Sequence, residues 1–127
     1  DVAKEAGRTE RDVWEATDYY KTDRGQKPNG ATKMVFSHAQ NTLAWDALAF
    51  TEMFMTQPMM VVVGRKVGAF GAYRDGMEAY GRATSSADRQ LVELDDWSHY
   101  DIYDQDEPVA LAMDRMVPFF AKHLGER

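Results

Sequence analysis

The chain has 127 residues, with 15 Lys and Arg against 21 Asp and Glu, for a formal charge of −6. That length suits one domain or a piece of a larger one, and fifteen aromatic residues with several apolar runs exclude an intrinsically disordered chain. The absence of cysteine removes disulfides, thiol nucleophiles and thiolate metal sites, and the acidic balance argues against nucleic acid as a partner. No apolar stretch approaches the roughly eighteen residues of a membrane span, and no secretory pattern opens the chain, which reads as cytoplasmic. The first residue is Asp1, so the chain reads as a processed product or as part of a longer protein.

Val2, Ala6, Val13, Trp14, Ala16 and Tyr20 form a rough helical stripe over residues 2–21, interrupted near Gly7. Thr9-Glu10-Arg11-Asp12 resembles a capping pattern, with Thr9 as the cap and an acid three residues on, so the better helix spans about 10–21. Asp23, Gly25, Pro28, Asn29 and Gly30 predict a loop over 22–31. Met34-Val35-Phe36 is a short apolar segment of undecided type. A helix capped by Ser37 is predicted to about Phe50, with Leu43, Ala47 and Phe50 at helical spacing, and residues 51–57 read as a connection.

Pro58 opens Met59-Met60-Val61-Val62-Val63, a continuous apolar run stopped by Gly64. It predicts a strand buried on both faces, the mark of a parallel sheet. A glycine-rich loop over 64–72, a helix over about 73–83, a strand at Gln90-Leu91-Val92-Glu93-Leu94 and an acidic loop over 95–105 follow. The last helix has Asp106 as N-cap, Pro108 in its first turn, Gly125 beyond its end and a stripe of Val109, Met113, Met116, Val117, Phe120 and Leu124. The fold class is therefore α/β. Residues 1–57 form a helical region, and residues 58–127 form a βαβα unit whose two strands need further strands from elsewhere.

In parallel α/β sheets ligands bind beyond the carboxyl ends of the strands, which singles out the loops 64–72 and 95–105. The second holds His99 among Asp95, Asp96, Asp101, Asp104, Asp106 and Glu107. Histidine suits acid–base work near neutral pH, and nearby carboxylates favour its charged form, which would make His99 a stronger base. The competing reading is a solvated acidic loop with an incidental histidine. His38, at a helix start, and His123, in a last helical turn, read as structural or solvated. Neither the three histidines nor the acidic cluster has metal-ligand spacing, so no metal or other cofactor is expected. Gly64, Gly68 and Gly71 match neither a dinucleotide fingerprint nor a P-loop. Arg65 and Lys66 there could meet an anion, though a flexible turn is the plainer reading. The Met-rich stretch Met53-Phe54-Met55 and Met59-Met60 reads as core or pocket lining. No Gly-x-Ser-x-Gly elbow is present.

Several segments carry a resemblance: Tyr19-Tyr20-Lys21-Thr22-Asp23-Arg24-Gly25, Pro28-Asn29, Trp45-Asp46-Ala47, Gln57-Pro58 before the first strand, Ser98-His99-Tyr100-Asp101-Ile102-Tyr103-Asp104, and Val117-Pro118-Phe119-Phe120. Together, over about residues 15–124, they resemble the C-terminal half of bacterial α/β-hydrolases of the dienelactone-hydrolase-like and fermentation-respiration-switch-like esterase kind. The resemblance implies that residues 59–63 and 90–94 are the last two core strands of that fold. It implies that His99 is the triad histidine. The nucleophile serine and the earlier strands would come from an N-terminal half, in a separate chain, a cleaved product or a preceding portion. The family's triad acid falls four residues past the glycine that ends the first strand, and that position is Gly68 here, beside Val67 and Ala69. Asp75 and Asp46 are the replacement acids considered, along with an acid from the other half.

The expected activity is hydrolysis of an ester or related small acyl substrate, with Trp97, Tyr100, Met53 and Phe70 lining the pocket. The alternative is a degenerate hydrolase fold, with Gly68 marking lost triad chemistry, that binds a ligand, serves as a partner subunit or catalyses a non-hydrolytic reaction.

Overall fold

The computed structural model describes residues 2–30 and 33–125, apart from the side chain of Val2, so the side chain of the first residue of the predicted stripe and residue 31 of the predicted loop lie outside what is described. The chain divides into two compact units, Asp1–Ala49 and Phe50–Arg127.

In the first unit the apolar stripe is carried by two helices, α1 (Val2–Glu5) and α2 (Arg11–Lys21). Gly7 separates them: it adopts φ 69°, a left-handed conformation open to glycine, and the amides of Gly7 and Arg8 turn back onto the carbonyls of Lys4 and Ala3 at 2.9 Å. The indole N–H of Trp14 pins the turn by donating to the Arg8 carbonyl at 2.7 Å. Thr9 does not cap α2. Glu10 holds the N-cap position without a side-chain cap, and its carboxylate accepts the Thr9 amide instead, at 3.1 Å.

The segment 19–25 owes its pattern to packing. A side chain at Gly25 would come within 2.7 Å of the Tyr19 ring, and the Arg24 guanidinium lies over that ring at 5.4 Å while bonding Asp18 at 3.0 Å. The predicted helix from Ser37 to Phe50 is shorter than its apolar spacing suggests. A 3-10 turn (Phe36–His38) leads into α3 (Ala39–Ala44), whose N-cap position is His38 rather than Ser37. It stops at Trp45, which is extended. The reason lies in Asp46, whose carboxylate accepts the Leu48 amide at 2.9 Å and so closes a local turn in place of a helical bond.

The second unit is a small mixed α/β body. It comprises α4 (Thr51–Phe54), β1 (Met59–Gly64), α5 (Ala72–Arg82), β2 (Arg89–Leu94), α6 (Asp101–Asp104) and α7 (Asp106–Leu124). Thus the connection 51–57 contains a helical turn, and the acidic loop contains α6. The strands pair in parallel, with Met59 opposite Arg89 and Gly64 opposite Leu94. Val61 and Val63 face α5, where Gly76 leaves room: an added side chain would sit 2.6 Å from Val63 Cγ1. Met60 and Val62 therefore face the other side of the sheet. α7 packs on the sheet, more on β2 than on β1, and against α6.

Two burial expectations are corrected. β1 is only half-buried over Met59–Val62, because among the described residues it has a single neighbouring strand. On α7, Pro108, Ala112 and Phe119 are buried, whereas Met113, Val117, Phe120 and Leu124 of the predicted stripe are exposed. The helix is apolar over a wider arc than two strands can cover. Its N-cap is Gln105 rather than Asp106. Among the described residues no helix is long and apolar enough to cross a membrane.

Candidate functional site

The end of β1 and the loop after β2 are built against each other. A side chain at Gly64 would run into the Trp97 carbonyl oxygen and come within 2.9 Å of the Ser98 backbone, so only glycine allows this approach. The amides of Arg65 and Lys66 donate to the carbonyls of Leu94 at 2.9 Å and Trp97 at 3.0 Å. Ser98, fully buried, then starts a reciprocal cap: its amide donates to Asp101 Oδ2 at 2.9 Å, and the Asp101 amide donates to Ser98 Oγ at 3.2 Å. His99 stands between these two locked residues.

The imidazole of His99 is exposed. Its Nε2 lies 2.8 Å from the Tyr103 hydroxyl, one helical turn on, and its ring meets the edges of Tyr100 and Tyr103 with centroids 5.1 and 4.9 Å away. Tyr100 is buried behind it. His99, Ile102 and Tyr103 form one wall of a cavity of about 270 Å³; Ala72, Tyr73 and Gly76 form another, and Val61, Val62, Val63 and Gly64 the floor. Alternate residues of a strand point to opposite faces. Four consecutive residues can line one cavity only if it runs along the strand's edge, and among the described residues one edge of β1 is unpaired. The cavity is thus a slot beside β1, open between its flanking helical segments.

None of the carboxylates around His99 bonds either ring nitrogen among the described residues. Asp101 is committed to Ser98 and to the Gln105 side chain, at 2.5 Å. Asp95 takes Arg65 at 2.6 Å, and Glu93 accepts the Tyr73 hydroxyl at 2.7 Å. The Asp95 carboxylate holds the Arg65 guanidinium above its ordinary pKa, and Glu93 raises that of Tyr73 by favouring the protonated phenol. The Arg65-Lys66 pair thereby finds partners within the chain: Lys66 lies over the Trp97 ring at 5.9 Å.

The residues singled out from sequence are distributed as follows. Gly68 lies in the loop after β1 and offers no carboxylate. Asp75 sits in the first turn of α5, its carboxylate folded against Gly71 and paired with Arg74 at 3.4 Å, with no bond to His99. Asp46 belongs to the first unit and serves its local turn. Trp97 is half-buried in the histidine loop, and Phe70 is exposed in the loop after β1. Tyr100 supports the imidazole from the core and is not part of the cavity wall. Met53 is exposed on α4, which is tied to the far end of the sheet: Glu52 pairs with Arg82 at 2.7 Å, and Ser86 Oγ donates to the Gln57 carbonyl at 2.7 Å, both ahead of β2. A strand's length therefore separates Met53 from His99. Tyr103 and Ile102 belong to the motif around His99 but are not among the site residues the sequence predicts, although the i, i+4 spacing of His99 and Tyr103 carries that signal. Among the described residues no group of His, Asp and Glu could hold a metal ion.

No protein-family model matches the chain. Over 121 residues it is 30% identical to a protein of Escherichia coli strain K12 described as "Uncharacterized protein YcjY"; the match takes in 95% of this chain and 38% of that protein. The chain thus spans well under two thirds of the length of the curated relative it matches.

Proposed function

We propose that this chain is the C-terminal part of an α/β-hydrolase-type protein that cleaves an ester or related acyl substrate. The observation that carries the reading is the position of His99: it follows the second of two parallel strands, at their carboxyl end, above the open apolar edge of β1. A serine from the preceding part of the fold attacks the acyl carbon. His99 takes the serine proton and returns it to the leaving group as the bond to that group breaks; water then repeats the sequence to free the acid. The E. coli relative has more than half its length left over for such a part. In the same reading the slot beside β1 receives a parallel strand from that part and is not itself the substrate pocket. The outer edge of β2, with Arg89, Gln90 and Glu93, has the polar character of a true sheet edge, while Met-Met-Val-Val-Val of β1 has the character of an interior strand.

A second reading is favoured by Gly68 and by the lack, among the described residues, of any carboxylate on His99: a hydrolase-like fold that binds a ligand, serves as a partner subunit or catalyses a non-hydrolytic reaction. One experiment separates the two. The chain is assembled with the preceding part of its fold, then treated with a fluorophosphonate and assayed on p-nitrophenyl esters. Labelling of a serine, lost in His99→Gln, supports the hydrolase; a folded assembly that neither labels nor turns over supports the second reading. Expressed without that part, the chain is expected to self-associate through β1, and a monodisperse monomer in ultracentrifugation would contradict the open-edge assignment.

A further inference from the structure

We infer that Tyr103 is a latch on His99, a positioning residue that occupies the nitrogen the nucleophile needs and yields it when the serine engages; this rests on the hydrolase reading above. A neutral imidazole has one in-plane lone pair, on the nitrogen without a proton. A phenol is the better donor of the two groups, so Nε2 is assigned as the acceptor in the 2.8 Å contact, which puts the ring proton on Nδ1. That tautomer is the one a triad base uses. A serine hydroxyl and the Tyr103 hydroxyl cannot both donate well to the same lone pair, so each excludes the other.

The surroundings fit a contact that is made and broken. Tyr103 is 42% exposed in this chain. Tyr100, buried behind His99, and the Ser98–Asp101 cap hold the histidine backbone whichever hydroxyl is bound. Both His99 and Tyr103 line the slot beside β1, where the rest of the fold must enter. Filling that slot brings the serine to the side of His99 that the phenol holds, so in the assembled resting protein the two hydroxyls compete for Nε2.

The test uses the assembled protein, with the nucleophile-bearing part present. Tyr103→Phe keeps the ring and removes the hydroxyl. Serine labelling by a fluorophosphonate is expected to speed up about three- to tenfold, the worth of one hydrogen bond between neutral groups. Fluorotyrosine at position 103, a stronger donor of the same shape, is expected to slow it, an opposite change that a purely structural role would not produce. Nitrogen NMR of His99 reads the contact directly: the Nε2 resonance of the resting protein moves in Tyr103→Phe. Equal labelling rates in all three proteins, or slower labelling of Tyr103→Phe, would overturn the latch while leaving the hydrolase reading intact. Wild-type protein that fails to label, or labelling unchanged in His99→Gln, would overturn the hydrolase reading and the latch with it.

Discussion

Each end of the two-stranded sheet carries a histidine, and the two are held in opposite ways. At the amino end, Asp88 accepts hydrogen bonds from Lys122 at 2.7 Å, His123 Nε2 at 2.9 Å and the Gln90 side chain at 3.2 Å, while the Phe119 ring lies 4.7 Å from that of His123. These donors hold the Asp88 carboxyl well below its usual range, at about 2, with Lys122 the largest cause. At the carboxyl end, His99 is exposed, and its ring-nitrogen and ring contacts among the described residues are with the tyrosines Tyr100 and Tyr103. The histidine that has its carboxylate is thus the one that ties α7 to the start of β2. His99, the proposed base, has no charged partner among the described residues, and on the proposed reading such a partner comes from the preceding part of the fold.

The sharpest way to break this contrast is to exchange the two histidines' fates. In the assembled protein, His99→Gln is expected to slow serine labelling by about a thousandfold or more with little loss of stability, the scale seen when a triad member is removed. His123→Gln is expected to leave labelling within about twofold and to lower the melting temperature instead. If the two variants gave the same pattern, the division between a structural and a chemical end would fall.

Next in size is Gly64→Ala. The new methyl meets backbone atoms of Trp97 and Ser98, which cannot swing aside as a side chain would. A loss of about 2–3 kcal/mol in urea unfolding is expected, in the upper range for overpacking. Because the displaced segment carries His99, labelling should fall in the protein that remains folded. Gly76→Ala, which meets only the Val63 side chain at its closest point, should cost less.

The amino end gives a pH signature. Asp88 has a lowered folded-state pKa, so its contribution is fully present above the ordinary value of 3.8 and is lost as pH falls towards about 2. Thermal melts between pH 5 and pH 2 should show a steeper decline for the wild type than for Asp88→Asn, which has no such proton to take up. Parallel curves would mean that the Lys122 and His123 contacts do not act on Asp88 in solution.

How much of this was legible beforehand differs from segment to segment for physical reasons. β1 could be read because a continuous apolar run, β-branched at its end and stopped by glycine, has few other uses, and α7 could be read from Pro108 and Gly125 at its ends. His99 could be placed because loops at the carboxyl ends of parallel strands follow from strand order alone. Burial on α7 could not be read. Apolar spacing identifies a helix but not how many strands lie beneath it, and Met113, Val117 and Phe120 stand exposed for that reason. α3 was overestimated because the Asp46 side chain competes for the backbone, a contest that apolar periodicity does not register. The pocket lining could not be read either. Met53 then falls at the opposite end of the sheet, while Tyr103, which bonds His99, looks in sequence like one more core aromatic.

The smallest effect expected tests the weaker lacing of the carboxyl end. Arg65 joins Asp95 at 2.6 Å and approaches Glu93 at 3.7 Å, linking the loop after β1 to β2 and the loop that follows it. Both guanidinium and Asp95 are more than half exposed, so water and salt screen the pair and most of its attraction is offset by ordering two long side chains. Arg65→Ala should therefore shift the melting temperature less than Asp88→Asn does near neutral pH, and the shift should shrink as salt is added. The backbone bonds from Arg65 and Lys66 to Leu94 and Trp97 survive the substitution, as does the approach of Gly64 to the histidine loop. It is this main-chain joint that positions His99. A shift in Arg65→Ala as large as that in Gly64→Ala would place the burden on the ion pair instead, and the carboxyl end would then be held by charge, just as the amino end is.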